Sequence, residues 1–459
     1  MTMRRTPPVV LSVAALALAV SAAVAGPTPA GPAAVTPASV QKYAAGVHVA
    51  SYPVFDARGR KIGSKTWRWS DVGGDCCETY VAATATGRLL EFGGVVPYYS
   101  DDRGKSWWKV TPTTPLYNGE GALVAGPGGN VYGAGWDAYT GDHLQGFRYT
   151  KSSAAWEVSE VPLKSPFFDR EWVTYAKGPF TIGGTTYPFA TIIRGGGVTK
   201  SLEVISGDGL DYSTPSIPSQ EATGSEFPLF HPRVVKNPDA DFWQPNPGTY
   251  TLPLNAGGVL LFKNGDDDFP CVAARLDQTT AKWGCVRLPW IPRGTVRQDS
   301  RGWLTEVVPS AQSLSLALST DGGKAWKSID ITVPEGRRLE GGSDPLHDVK
   351  VNGKAGIAAI SVRADDSAGR GQDMVFVVDV KRAQPRLLRT YYLGKGDINT
   401  GIGVGTTSNR FDFCSVTVFP DGKIAASFDD STTPDYKKLD TVPATKTDGH
   451  SSPAVAIEL

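Results

Sequence analysis

The sequence is poor in helix-building signals and in cofactor motifs. It has only three Met, and no long stretch places apolar residues at helical spacing, which excludes a helical bundle. Charge of one sign is also missing. Forty-six basic and 46 acidic residues give a formal net charge of +0, so nothing points to nucleic acid or to a charged membrane surface. There is no phosphate loop, no Gly-x-Ser-x-Gly elbow and no His-Glu-x-x-His. The five Cys and five His do not fall at zinc-ligand spacings, so no metal and no other cofactor is expected from them. What is abundant is 52 Gly and 34 Pro, which demand frequent turns, and 12 Trp, a load suited to cementing strands or stacking on sugar rings. The class is all-β.

The first residues carry an export pattern. Arg4-Arg5, an apolar run over 9–20 and Ala23-Val24-Ala25 predict a signal peptide cleaved after Ala25. The pair Arg4-Arg5 also allows a twin-arginine signal. The apolar run is too short for a convincing membrane span. Residues 26–45 read as a Pro/Ala-rich disordered linker, and 46–459 as a single domain, secreted and monomeric. Secretion permits disulfides. Cys271 and Cys285 flank a hairpin-like segment and are the expected pair. Cys77 of the Cys76-Cys77 doublet is expected to bond Cys414, with an adjacent Cys76–Cys77 bridge as the alternative.

One octapeptide recurs. Ser100-Asp101-Asp102-Arg103-Gly104-Lys105-Ser106-Trp107 and Ser319-Thr320-Asp321-Gly322-Gly323-Lys324-Ala325-Trp326 share Ser, Asp, Gly and Trp at the same offsets. The Ser and Asp oxygens suit turn N–H groups, and Gly104 and Gly323 suit a tight reversal. Trp107 and Trp326 would start the next strand and bury between sheets. The segment Ser206-Gly207-Asp208-Gly209 reads as an eroded copy. The motif resembles the Asp box, the bacterial-neuraminidase repeat of sialidases and related β-propellers. The resemblance covers about residues 70–430 and implies a rim position for the box, so its Asp is expected to be structural rather than catalytic.

Strand–turn–strand units recur along the chain at a period of ~50–65 residues, in the range of propeller blades. Counting from Thr79, Gly121, Asp169, about Phe227, Trp303, Asp348 and Phe413 gives seven units, which favours seven blades of four antiparallel strands over the six expected of sialidases. The terminal segments 47–54 and 454–457 both read as strands and would close the ring in one shared blade.

In such a ring, polar residues just before the first strand of each blade face the channel mouth. The densest group is Asp169-Arg170-Glu171-Trp172: two carboxylates, a guanidinium and an indole able to grip and cleave a glycan. The structural alternative is an ion pair between blades beside a core Trp. Asp169, Glu171 and Asp348 are the catalytic candidates; Arg170, Trp172, His231, Arg233, His347 and Arg410 are the substrate-binding ones. A sialidase would place three arginines on a substrate carboxylate, with a Tyr nucleophile, a Glu and an Asp. Its Phe/Tyr-Arg-Ile/Leu-Pro motif is absent, and Phe230-His231-Pro232-Arg233-Val234 only echoes it. Asp266-Asp267-Asp268 forms an acidic turn that would suit Ca²⁺, against the alternative of a solvated loop tip. The expected function is therefore an extracellular glycan-acting or glycan-binding propeller, with a non-catalytic binding platform as the rival.

Overall fold

The computed structural model describes residues 39–72, 79–93, 96–112, 114, 116, 123–136, 143–152, 155–161, 169–182, 185–196, 201–212, 249–255, 259–263, 273–276, 283–285, 296–334, 336–339, 347–366, 371–398, 414–430 and 452–459. They belong to one compact unit, Pro37–Leu459. The signal-peptide segment lies outside the described residues, as do Cys76, Cys77 and Cys271.

Among the described residues the chain is all β, apart from one short 3-10 turn. It opens with three strands that serve other sheets: β1 (Ser39–Tyr43), β2 (Gly46–Phe55) and β3 (Lys61–Asp71). The first sheet is then built from β4 (Thr79–Ala83), β5 (Leu89–Gly93), β6 (Val96–Ser100) and β7 (Trp107–Thr111). The second is β8 (Leu123–Ala125), β9 (Val131–Trp136), β10 (Leu144–Thr150) and β11 (Ala155–Val161). The third has β12 (Asp169–Ile182), β13 (Thr185–Gly196) and β14 (Ser201–Ser206). The fourth has β15 (Thr249–Pro253), β16 (Val259–Lys263), β17 (Ala273–Leu276) and β18 (Trp283–Cys285). The fifth has β19 (Val296–Gln298), β20 (Leu304–Pro309), β21 (Ser313–Ser319) and β22 (Lys327–Thr332). The sixth has β23 (Arg337–Leu339) and β24 (His347–Asn352) on one edge of β25 (Ile357–Asp366), then β26 (Gly371–Asp379) and β27 (Arg386–Ile398). The last strands are β28 (Ser415–Val418), β29 (Ile424–Asp430) and β30 (Ser452–Glu458).

Among the described residues every pairing is antiparallel, and successive strands of a sheet pair in order, as short hairpins dictate, except that β23 skips β24 to pair β25. The first strands of neighbouring sheets touch in turn: β4 on β8, β8 on β12, β12 on β15, β15 on β19, β19 on β24, β24 on β28, and β28 back on β4. That cyclic order is the arrangement of a β-propeller. The expected hairpin between Cys271 and Cys285 is present as β17 and β18, with Ala274 opposite Cys285.

Both termini close the ring, with one difference from the sequence expectation. The strands containing 47–54 and 454–457 share one sheet, in the order β28-β29-β30-β3-β2-β27, so the closing strands run on into the sixth group through the short pairing of β2 with β27, but the two are not direct partners. β3 lies between them, pairing Trp67 with Glu458 and Asp71 with Ala454. The hairpin β2–β3 is continuous, so inserting both arms buries Trp67 and Trp69 in the core that joins the closing and sixth sheets. β1 meanwhile adds a fifth strand to the first sheet, along β7.

The turns explain the sequence cadence. In four sheets the first hairpin has one geometry: the N–H groups of Thr84, Gly126, Asp299 and Phe419 donate to the carbonyls of Arg88, Asn130, Trp303 and Lys423. Inside these loops sit Gly87, Gly129, Gly302 and Gly422. Their φ angles lie between 86° and 87°, in the left-handed region where only Gly is unstrained.

Candidate functional site

Two kinds of polar constellation stand out: turns at the sheet edges, and side chains on the first strands near the axis. The turn constellations sit directly after the third strand of a sheet. In the first sheet Ser100 Oγ donates to Asp102 Oδ1 at 3.0 Å and accepts the Gly104 N–H at 2.7 Å. Asp102 Oδ1 also accepts the Ser106 N–H at 2.8 Å. In the fifth sheet Ser319 Oγ donates to Asp321 at 2.8 Å and accepts the Gly323 N–H at 2.8 Å, while Asp321 accepts from Lys324 and Ala325. The third sheet repeats this one residue shorter. Ser206 donates to Asp208 at 2.7 Å, accepts the Gly209 N–H at 2.9 Å, and Asp208 accepts from Leu210 and Asp211.

The rings after the turns pack to different depths. Trp107 is 0% exposed, wedged among Val72, Phe419, Val455 and Ile457 of the closing sheet. Trp326, expected to start the next strand and bury, instead precedes β22 and stays half-buried, packed on the cluster that holds Leu252 and Leu254. In the shortened copy the aromatic is Tyr212, buried against the second sheet with its hydroxyl donating to Thr191. Gly146 of β10 makes room: a Cβ there would lie 2.4 Å from the Tyr212 ring. The eroded copy read from the sequence ends at Gly209 and omits Tyr212, whose signal is an aromatic one residue early. For Asp102, Asp208 and Asp321, burial pushes the carboxyl pKa up, but the turn N–H and Ser donors outweigh it and hold all three below the ordinary value.

The axial constellation centres on Asp348 of β24, 3% exposed. Its Oδ1 accepts from Lys350 Nζ at 3.1 Å, and its Oδ2 accepts from Ser415 Oγ at 3.1 Å and the Val416 N–H at 3.0 Å. Strand alternation puts Asp348 and Lys350 on one face of β24, toward β28. Burial favours the neutral acid, but Lys350, the charge of Arg297 and the Val416 N–H together lower its pKa, so the carboxylate is ionised. Lys350 is itself pulled down by burial and by Arg297, against the opposing pull of Asp348.

Other first-strand side chains satisfy the inner edges that no further strand covers. Ser415 Oγ accepts the Val81 N–H and Thr417 Oγ1 the Ala83 N–H, tying β28 to β4. Gln298 Oε1 accepts the Asn255 N–H, and its Nε2 donates to Pro253 O at 2.8 Å and Tyr175 O at 3.3 Å. One amide thus draws β12, β15 and β19 together. Neither Gln298 nor Ser415 is legible in the sequence as a site residue, because their partners are distant along the chain.

Asp169-Arg170-Glu171-Trp172 opens β12, where the backbone is irregular: Asp169 faces Gly196 and Trp172 faces Arg194, with a register shift between them. His347 begins β24, opposite Val362. His231, Arg233, Arg410 and Asp266-Asp267-Asp268 lie outside the described residues. Cys414 is buried in the core shared with the sixth sheet, and its expected partner Cys77 is outside the described residues. Among the described residues no group of three or more His, Cys, Asp or Glu is placed to hold a metal ion, and no helix is long and apolar enough to cross a membrane.

No family model matches the chain, and no curated protein matches its sequence. Solved structures do match. The β-propeller domain of the Trilobed protease from Pyrococcus furiosus is 9% identical, covering 77% of this chain and 96% of that one, with a TM-score of 0.34. A triple mutant of AofleA from Arthrobotrys oligospora is 12% identical over 76% and 91%, with a TM-score of 0.37. The WD40 domain of SCAP from fission yeast is 8% identical over 92% and 94%, with a TM-score of 0.33. At such scores the fold assignment rests on the strand order and the cyclic contacts of the chain itself.

Proposed function

We propose that the chain is a secreted propeller of seven blades, of the Asp-box, sialidase-like type, that acts on or binds extracellular glycans at the mouth of its channel. The seven first strands in cyclic contact support the blade count. The three Ser–Asp turns after third strands support the Asp-box type. The observation that carries the site is the register shift at the head of β12, which sets Arg170 and Glu171 outside regular pairing. Bulges of this kind re-aim side chains and are common beside active sites.

In this reading Asp169 and Glu171 supply the acid and base, and Asp348 adds a fixed negative charge. Arg170, Trp172, His231, Arg233, His347 and Arg410 bind the sugar. Two carboxylates flanking a glycosidic bond are what hydrolysis through an oxocarbenium-like transition state needs. The test takes protein recovered from the medium, with its first residue sequenced for cleavage after Ala25. It is applied to a glycan array and to sialylated, plant and microbial glycosides. Binding or turnover that falls in Arg170→Ala and Glu171→Gln is expected; a folded wild type that neither binds nor cleaves any glycan overturns the reading.

A second reading, a non-catalytic platform, draws on Asp348. A carboxylate that is ionised and bonded through both oxygens is committed to holding β24 on β28. Glycan binding that persists in Glu171→Gln, with no turnover by the wild type, selects this platform.

A further inference from the structure

We propose that the outer edge of β2, over residues 46–51, is the pairing edge of a homodimer, to which β2 of a second copy of this chain adds antiparallel. The surface is separate from the head of β12 and does not depend on the glycan reading. It sets a dimer in place of the monomer expected from the sequence.

β3 pairs β2 along its whole length, from Gly46 opposite Asp71 to Phe55 opposite Lys61. On the other side β27 pairs only Val54 and Phe55, opposite Tyr391 and Thr390. Among the described residues no strand pairs the outer side of residues 46–51. The backbone groups of an antiparallel strand point to its two sides in turn, so this stretch presents outward N–H and C=O groups to a further strand.

Edges are ordinarily guarded by charge, Pro or a bulge, and here none of these falls on the free stretch. β2 carries no Asp, Glu, Lys or Arg, and Pro53 stands beyond residue 51. The register shift also lies beyond it, between Val54 and Phe55. The charged residues of the hairpin are on β3: Lys61, Lys65, Arg68 and Asp71. Val47 is 41% and Val49 58% exposed, and strand alternation puts both on one face. Arg68, opposite Val49, donates to the Arg103 carbonyl at 2.7 Å. On the other face the exposed His48 ring stacks on Trp69 of β3, 5.9 Å between centroids, and so lies over its own sheet.

A second copy fits this edge because the strand complements itself. Residues opposed across an antiparallel pair lie on the same face, and a twofold axis makes the contact isologous. Val47 and Val49 of both copies therefore meet on one face as β-branched cross-strand neighbours. No like charges oppose each other, since the strand has none. The formal net charge of +0 also removes long-range repulsion between copies. So short an edge buries little area, and association is expected at roughly micromolar concentrations.

The experiment is sedimentation of the full chain from ~1 to ~100 µM, with amide hydrogen exchange at both ends of that range. The wild-type mass should rise to that of a dimer and stop there, with protection appearing in residues 46–51. Val49→Lys and Val47→Lys should each raise the dimer dissociation constant ~tenfold or more and abolish that protection. Both sites are exposed, and circular dichroism checks that the variants fold. Ile62→Lys, at a residue 57% exposed on β3 and off this edge, should leave the dimer unchanged. A folded wild type that stays monomeric throughout overturns the proposal. A dimer untouched by Val47→Lys and Val49→Lys, or weakened equally by Ile62→Lys, overturns it too.

Discussion

Asp102 in the turn after β6 and Asp348 on β24 do the same chemistry over very different ranges. Each is a carboxylate accepting a backbone N–H and a serine hydroxyl. Asp102 takes both from within its own turn, Ser100 and Ser106. Asp348 takes them from Ser415 and Val416 at the start of β28, a strand that does not pair with its own. The first carboxylate fixes a local reversal; the second holds two unpaired strands, β24 and β28, side by side. One is mostly open to solvent and the other buried, so their energetic weights differ in the same direction.

The largest expected effect breaks the axial side. Asp348→Ala leaves the Lys350 ammonium and the Val416 N–H without their partner and should cost ~3–5 kcal/mol in urea unfolding. Asp348→Asn, which keeps an acceptor, should cost less. The turn side should give smaller, repeated losses. Asp102→Ala, Asp208→Ala and Asp321→Ala should each lower unfolding free energy by ~0.5–2 kcal/mol. They should leave any glycan binding intact. A loss of binding without a loss of stability would contradict the rim placement of these turns. Smaller still is Tyr212→Phe, which removes only the hydrogen bond to Thr191 and should cost ~0.5–1.5 kcal/mol.

Acid sharpens the comparison further. All four carboxylates have folded pKa values below their ordinary ones. Their contribution is thus fully present above the unfolded value of ~3.9 and is lost as pH falls through the folded values. The stability gap between wild type and Asp348→Asn should be constant near neutrality and shrink below pH ~4. A gap that widens on acidification would reverse the sign.

The same contrast explains what the sequence reveals. Turns that bond within four residues leave a pattern in order, so the two Ser-x-Asp-x-Gly-Lys-x-Trp copies announce both hairpins and the buried indole of Trp107, while Trp326 stays half-buried. The shortened copy is half legible, because Tyr212 arrives one residue early and is not Trp. Ring closure is legible as two strand-like termini, but not the intervening role of β3, whose Trp67 and Trp69 read only as aromatics. Asp348 is visible as a polar residue at the head of a first strand. Its partners on β28 are not, since Ser415 and Val416 are 67 and 68 residues away and no local rule links them. Gln298 is hidden for the same reason: its amide bonds residues as far as 123 positions off.

Amide hydrogen exchange on Asp102→Ala and Asp348→Ala tests the division between local and long-range carboxylates most directly. In the first variant, faster exchange should be confined to the turn around Gly104 and Ser106. In the second it should appear at Val416 and spread along β28 into Val81 and Ala83 of β4. Equally local effects from both substitutions, or protection at Val416 unchanged in Asp348→Ala, would contradict that division.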